Sequence, residues 1–476
     1  MMSLKPTRDL LFSLLTTALV LGSQPLRAAK PVSFLKDVAP ILMTRCAGCH
    51  GPKKSSGDFR AHTFEFLTTA GASDESPVVQ GKPRQSLLFQ RIIESDTDLR
   101  MPQDDDPLSK TEIETIRQWI SEGATFDGGN AAASFSSLMP PREHPPAPQK
   151  YRVAVPVFAV TFSPDGKQIA TSGYNEVLIW DSASGELERR IGNLPQRIQE
   201  IKWIRDDHLL VGGGTPGEYG EVSLVNLASG KREAVFGTFD DIVLDVDINS
   251  REDRIAAGSA GLQSRVYNRT TGEMVWQAQV HSDWVTGVAF SPDGAYVVTT
   301  SRDQTAKVHE TESGILFTTY NGHRKQLGSY TGRFSIYDIA FDPKSGNALT
   351  IGEGKALRIW NPVQAQKENG DASDMEGRFF KKGHTRFIEH KGPAEGMFAV
   401  SIAAGKVFTT GANGVARVFE FTSGEMLREF PGHEEWVYCV GSVADGSVVA
   451  TGTFAGVVRV MNVESGRVVT SFEVSP

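Results

Sequence analysis

Apolar residues change their spacing once along the chain, near residue 129. Before that point they recur at helical intervals. Phe34, Val38, Ile41 and Leu42 fall at i, i+4, i+7 and i+8, which puts them on one face of a helix leading into Cys46. Pro40 lies within it and is expected to kink or restart the helix. Ile113, Ile116 and Ile120, with Trp119 beside them, define a second helix. Ser109 and Glu112 supply a capping box at its start, and Gly123 closes its end. A shorter helix is expected over 85–94. These elements predict a small all-α domain over 30–128.

From about Tyr151 the pattern becomes short strands and turns. Strand-turn elements recur at Phe162–Gly166, Trp203–Asp207, Ile248–Asp253, Phe290–Gly294, Phe341–Gly346, Ile402–Lys406 and Val443–Ser447. Their separations are about 41–46 residues, with two longer ones near 50–60. A second turn keeps step with them at Ser184-Gly185, Ser229-Gly230, Thr271-Gly272, Ser313-Gly314, Ser423-Gly424 and Ser465-Gly466. This periodicity predicts seven repeats of four strands over 150–476. One four-stranded unit cannot bury both of its faces, whereas seven arranged radially share a core. Trp180-Asp181, Trp360-Asn361, Gly322-His323, Gly383-His384 and Gly432-His433 resemble the WD-repeat signature. The expected fold class is therefore multi-domain: a small all-α, class I-like domain followed by an all-β seven-bladed WD-type propeller. Either Tyr151–Val155 or Val468–Val474 could complete the last blade.

Residues 1–29 read as a secretory signal. Lys5 and Arg8 form the basic start, Leu10–Gly22 the apolar stretch, and Ala28 and Ala29 a small-residue cleavage site. The apolar stretch is shorter than the roughly 20 residues that span a bilayer. The expectation is a periplasmic or otherwise exported protein with no integral span after cleavage, anchored to the membrane if the signal is retained. Five prolines within 129–149 mark a semi-rigid linker. A net charge of −8 argues against general nucleic-acid binding.

The three cysteines are Cys46, Cys49 and Cys439, too few for a disulfide framework. Cys439 lies in an apolar run and reads as a buried thiol. Cys46-Ala47-Gly48-Cys49-His50 carries a specific chemistry. Two thiols at this spacing add across haem vinyl groups, and the adjacent histidine reaches the iron. A redox cysteine pair needs no following histidine and sits in a βαβ setting, which is absent. A structural zinc site needs a fourth ligand from elsewhere. One covalent haem c is expected, with Cys46 and Cys49 as thioethers and His50 on the iron. Candidates for the sixth ligand are Met43, Met101, Met139, His62 and His144. Met43 shares the helix of Cys46 and cannot cross the haem. Met139 and His144 lie in the linker. Met101 stands in a loop before the capped helix, stiffened by Pro102, and is preferred over His62. A His/Met pair fills both axial positions and suits electron transfer.

The segments Phe34–Pro52, Gly81–Ile92, Arg100–Pro102 and Pro107–Ala124 resemble, in order, the planctomycete-type cytochrome c domain. The resemblance implies a His- and Met-ligated haem in exported proteins often fused to other modules. Onto this sequence it carries Cys46, Cys49, His50 and Met101. The stretch Gly57–Phe66 departs from the family pattern.

Loops entering the innermost strands of a propeller share one face. On that face the sequence would place Arg324, Lys325, Arg333, Arg386, Lys391 and Trp436, residue types favoured in binding hot spots. A glycine-rich loop at Gly212–Gly220 would join them. The function expected is an exported electron-transfer cytochrome whose propeller binds a protein partner, alongside an unknown redox partner. Two alternatives stand beside it: a haem-dependent oxidoreductase with a propeller-borne active site, and a scaffold with a structural or sensory haem. Nitrite reductases also join such a domain to a propeller, but theirs has eight blades and a second haem. No catalytic Ser/His/Asp set or phosphate loop stands out, so a non-enzymatic electron-transfer role is the stronger expectation.

Overall fold

The computed structural model describes residues 31–47, 49–51, 55–103, 106–133, 135–138, 141–205, 207–323, 334–371, 385–389 and 396–475. The proposed signal lies outside them. The chain divides into two compact units, Met1–Ala132 and Ala133–Pro476.

In the first unit, Phe34–Val38 forms one wide helical turn and α1 (Ala39–Arg45) follows it. Pro40 sits in the first turn of α1, where its missing N–H costs no bond. The helix therefore restarts at the proline, as expected. Short helices α2 (Phe64–Leu67) and α3 (Leu87–Ile92) precede α4 (Lys110–Ser121). Both halves of the Ser109–Glu112 capping box form, and the Gly123 N–H donates to Ile120 O at 3.1 Å. Phe34, Val38 and Leu42 are fully buried, as are Ile116, Trp119 and Ile120. The Phe34 ring lies 5.1 Å from Trp119 and 5.2 Å from Phe64, centroid to centroid. Asp127 accepts from the Leu35 N–H at 2.9 Å and from the Ser33 hydroxyl. These contacts clamp the entry to α1 against the exit of α4, and that clamp sets where Cys46 begins.

The second unit is a seven-bladed propeller of seven four-stranded antiparallel sheets, each built from consecutive strands. The blades cover 160–191, 197–239, 243–278, 285–320, 336–389, 397–430 and 437–473. Their innermost strands are Val160–Phe162, Arg197–Ile204, Val243–Ile248, Val285–Phe290, Ile336–Phe341, Met397–Ala403 and Val437–Ser442. Val468–Glu473 completes the last blade, and 151–155 forms no strand. The ring closes without strand exchange. Val157 donates its N–H to Thr453 O at 3.0 Å, and Cys439 Sγ donates to Val157 O at 3.4 Å. Val157, Phe162 and Trp180 share one buried cluster with Cys439, Val458, Val460 and Val474. Cys439 is thus the buried thiol the sequence implied.

Neighbouring blades are also tied across the central channel. Asp245 accepts from the Val288 N–H at 2.7 Å, Asp247 from Phe290 at 2.8 Å, and Asp338 from Val400 at 2.7 Å. Each carboxylate thereby satisfies a buried backbone donor of the next blade.

Two expectations change in detail. Gly212–Gly220 is no open loop: Gly212, Gly213 and Gly214 lie inside a strand, paired with the strand that Gly220 belongs to. A Cβ on Gly213 would stand 2.2 Å from Arg197 O, and one on Gly220 2.4 Å from Asp241 O. Glycine is there because backbones approach closely. Part of the proline-rich stretch is docked on the propeller. The His144 imidazole pairs with Glu221 at 3.0 Å, Glu221 with Arg232 at 2.8 Å, and Arg190 donates to Pro148 O at 2.6 Å.

Replacing Trp119 with alanine should cost the first unit roughly 3–5 kcal/mol, the usual loss for a fully buried aromatic. In guanidinium unfolding of the full chain, only the transition assigned to the first unit should shift. An unchanged midpoint would mean that the clamp carries no weight.

Candidate functional site

The turn after α1 builds the first site. Cys46 caps the helix, with its N–H on Leu42 O at 2.9 Å. The Cys49 N–H donates to Cys46 O at 3.2 Å, and the His50 N–H to the same oxygen at 2.9 Å. One turn therefore gathers both thiols and the imidazole. The two thiols are not joined in a disulfide. Burial pushes the Cys46 thiol up to about 12, whereas Cys49 is exposed. The strand-like segment after the turn lies against His50. Ala61 donates its N–H to His50 O at 2.7 Å, and His50 Nδ1 donates to Phe59 O at 3.3 Å. That bond fixes the tautomer and leaves Nε2 as the nitrogen with an open lone pair, the arrangement seen in ring-anchored metal histidines. The two unbridged thiols and the oriented imidazole fit a covalently attached haem.

Met101 stands in the loop after α3, partly exposed, with its N–H on Arg91 O at 3.0 Å. Arg45, the last residue of α1, reaches across to the carbonyls of Asp106 and Pro107 beyond Met101. The two chain segments that carry the haem motif and Met101 are thus held to one framework. His62 sits beside the segment that backs His50, stacked 5.3 Å from Phe66, and burial lowers its pKa. His144 belongs to the second unit and is taken up by Glu221. Met139 lies outside the described residues.

At the propeller mouth the sequence placed six binding residues. Arg324, Lys325, Arg333 and Lys391 fall outside the described residues. Arg386 is not at the mouth. It lies in the outer strand of blade 5, and its guanidinium donates to the carbonyls of Phe421 and Thr422 in blade 6. Trp436 is at the mouth and 50% exposed.

The mouth also carries residues that sequence reading missed. Pairing slips by one residue near the start of the innermost strand in blades 2 to 7. The skipped residues are Gln199, Leu244, Thr286, Tyr337, Phe398 and Tyr438, and Phe158 holds the matching place in blade 1. A bulge of this kind re-aims its side chain. Four of these residues are aromatic and meet in three ring pairs: Tyr337–Phe398 at 5.8 Å, Phe398–Tyr438 at 5.3 Å and Phe158–Tyr438 at 5.3 Å. Trp436 joins Phe398 at 5.8 Å, and Phe454 joins Tyr438 at 6.0 Å. The signal was present in the repeat: Val157-Phe158-Ala159, Ile336-Tyr337-Asp338, Met397-Phe398-Ala399 and Val437-Tyr438-Cys439 align.

The described histidines at repeat-equivalent positions are structural, and His384 lies outside the described residues. His281 bonds Thr299 at 2.9 Å and Asp303 at 2.9 Å, His323 bonds Thr350 at 2.9 Å, and His433 bonds Thr451 at 3.2 Å. Burial pushes His433 down to about 4, so it stays neutral.

Comparison with known proteins now separates the two units. Residues 46–105 match the planctomycete cytochrome C family. Residues 151–181, 272–310 and 424–462 match the WD domain, G-beta repeat. The chain therefore joins a planctomycete cytochrome C segment to a seven-bladed WD propeller. Among curated relatives, actin-interacting protein 1 of Drosophila melanogaster is 23% identical over 310 residues, 64% of this chain and 47% of that protein. WD repeat-containing protein 1 of Rattus norvegicus is 26% identical over 210 residues, 43% of this chain and 33% of its own length. Striatin-3 of Mus musculus is 27% identical over 117 residues, 25% and 13% respectively. The chain spans half or less of these relatives. Among the described residues no helix is long and apolar enough to cross a membrane.

Asp338 offers a pH test of the channel. Burial pushes its carboxyl up to about 7, against the pull of the Val400 N–H and Lys202, with Glu200 adding repulsion. An unfolded aspartate titrates near 3.9. Stability present at low pH is therefore lost as pH rises from about 4 through about 7, where only the unfolded chain is freely ionised. Asp338→Asn cannot ionise. Between pH 5 and pH 8 its stability should improve relative to the wild type by roughly 1–3 kcal/mol in urea unfolding. Parallel pH profiles would contradict this.

Proposed function

We propose that this chain is an exported c-type cytochrome that carries one covalent haem c on Cys46 and Cys49 and passes electrons, with the propeller as its protein-binding unit. The observation that carries the reading is the Cys46–His50 turn with His50 Nδ1 anchored to Phe59 O. The family match over 46–105 and the basic, apolar, small-residue order of 1–29 support it. Haem c supplies a one-electron iron couple when bound. The chain's own residues do the rest. Cys46 and Cys49 hold the group by thioether bonds, so a small domain can keep it without burying it fully. Phe59 O orients His50, so that Nε2 is presented as the axial ligand. Met101 is the second axial ligand in this reading. His62 is a poorer candidate because its neighbours Phe59 and Ala61 bond to His50 itself.

Thioether attachment matches export, since c-type haem is attached outside the cytoplasm. The protein-binding role rests on the propeller and its WD-repeat relatives, among them an actin-interacting protein. Filling both axial positions leaves no open iron site, which favours electron transfer over haem catalysis. Seven blades also differ from the eight of the nitrite reductases.

The test is expression with a c-type haem maturation system. Wild-type protein should retain haem on a denaturing gel, and Cys46→Ser with Cys49→Ser should abolish it. Met101→Ala should keep the haem but lose the methionine-to-iron charge-transfer band. Its reduction potential should fall by on the order of 0.1–0.3 V, within the ~0.8 V range that axial ligands set. An unaltered spectrum in Met101→Ala would move the sixth ligand elsewhere.

A further inference from the structure

The loop between α3 and Met101 is tied to itself at several points. The Glu94 carboxylate accepts from the Ser95 N–H at 2.7 Å and from the Asp96 N–H at 3.2 Å. Asp96 accepts from the Asp98 N–H at 3.0 Å on its side chain, and from the Arg100 N–H at 2.8 Å on its carbonyl. The Gln103 amide donates to Asp98 O at 2.8 Å. Together with the Met101 N–H on Arg91 O, these bonds fix where the side chain of Arg100 leaves the backbone.

The arginines of this unit differ in what they touch. Arg45 donates to the Asp106 and Pro107 carbonyls, Arg91 to Leu99 O at 3.4 Å, and Arg117 Nε to Glu114 at 2.7 Å. Arg60 lies 5.0 Å over the Phe66 ring, and Arg84 is exposed. Arg100 is half-buried and its Nε is shut off from water. Its guanidinium makes no hydrogen bond or ion pair among the described residues. Anions are not scarce, since Glu94, Asp96 and Asp98 stand within six positions of it. A shielded guanidinium costs free energy until a carboxylate meets it. One that leaves its neighbouring carboxylates unused is oriented for an anion from outside the chain.

We propose that Arg100 is a haem-binding residue whose guanidinium pairs with a propionate carboxylate of haem c and thereby raises the reduction potential. The planar guanidinium fork matches a carboxylate with two parallel N–H donors. Arg100 is next in the chain to Met101, so its side chain starts beside the group that Met101 would ligate. By neutralising a propionate it removes an anionic charge that would favour the oxidised iron. The pair also gives that carboxylate a protein partner in a domain too small to bury the haem fully. The inference rests on the cytochrome reading and adds a polar contact to its thioethers and axial ligands.

The test compares the full chain, matured with haem, as wild type, Arg100→Leu, Arg100→Gln, Arg100→Lys and Arg84→Leu. Redox titration against a reference dye should move the reduction equilibrium of Arg100→Leu toward the oxidised form by roughly 5- to 30-fold. Arg100→Gln should follow it, and replaces it if the leucine variant matures poorly. Arg100→Lys keeps the charge but not the fork and should shift by less than about 5-fold. Arg84→Leu removes the same charge from an exposed site and should shift by less than about 2-fold, an effect that salt erases. The methionine-to-iron band should be the same in every variant as in wild type. The propionate bands of the reduced-minus-oxidised infrared spectrum should change in Arg100→Leu and Arg100→Gln but not in Arg84→Leu. A wild-type potential or unchanged propionate bands in Arg100→Leu and Arg100→Gln would overturn the proposal. So would an equal shift in Arg84→Leu, or an altered methionine band in the Arg100 variants, which would make Arg100 a support of the loop alone. In each of these cases covalent haem stays on a denaturing gel and the cytochrome reading stands. Wild-type protein without covalent haem would overturn that reading, and this proposal with it.

Discussion

Seven sheets arranged radially gain a common core only when the last blade meets the first. Here that seam is made without strand exchange. Val157 bonds Thr453, the Cys439 thiol bonds Val157 O, and Thr470 bonds Ser184 O at 3.1 Å. The Trp180 and Phe472 rings meet at 4.5 Å across it. The apolar cluster that spans the seam contains residues 282 positions apart in sequence, Val157 and Cys439. Long-range closure of this kind is entropically expensive, so its side chains must be buried well to hold it. The seam also brings Phe158 of blade 1 against Tyr438 of blade 7, their rings 5.3 Å apart. The channel carboxylates work in the same direction, each anchoring the inner strand of one blade to that of the next.

Much of this architecture was legible in the chain. Helical periodicity named Phe34, Leu42, Ile116, Trp119 and Ile120 because those residues face one core, and the capping box located the start of α4 because its two bonds are local. The repeat count was legible because each blade is one supersecondary unit with its own turns. What stayed hidden was tertiary. Two segments could have completed the last blade, and only the pairing of 468–473 with its neighbour decides between them. Gly212–Gly220 looked like a loop because glycine clusters usually are, whereas here Gly213, Gly214 and Gly220 answer backbone atoms 2.1 to 2.4 Å from where a Cβ would be. Arg386 looked like a surface cation because the carbonyls it serves are about 35 residues further along the chain.

The two candidate sites differ in the same way. The candidate haem motif is contained in five residues and one turn, so the expectation of haem attachment could be drawn from spacing alone. What sequence could not supply was Phe59 O behind the imidazole, or Arg45 reaching the loop that follows Met101. The propeller mouth has no motif. Its aromatic positions are set by a bulge repeated near the start of six inner strands, a feature visible only once strands are paired. The missed residues follow a sequence rule that becomes clear in retrospect, an aromatic directly after the first buried residue of the inner strand.

In the proposed reading the two units carry different tasks: a local turn to hold a redox group, and a distributed ring to bind a protein. The central claim is that the first of these tasks is performed. It is tested most directly by measuring the haem-to-protein ratio of the exported full chain together with a reductive titration. The account predicts about one haem per chain and a single reversible one-electron transition. A ratio near two, or a haem that cannot be reversibly reduced, would contradict it.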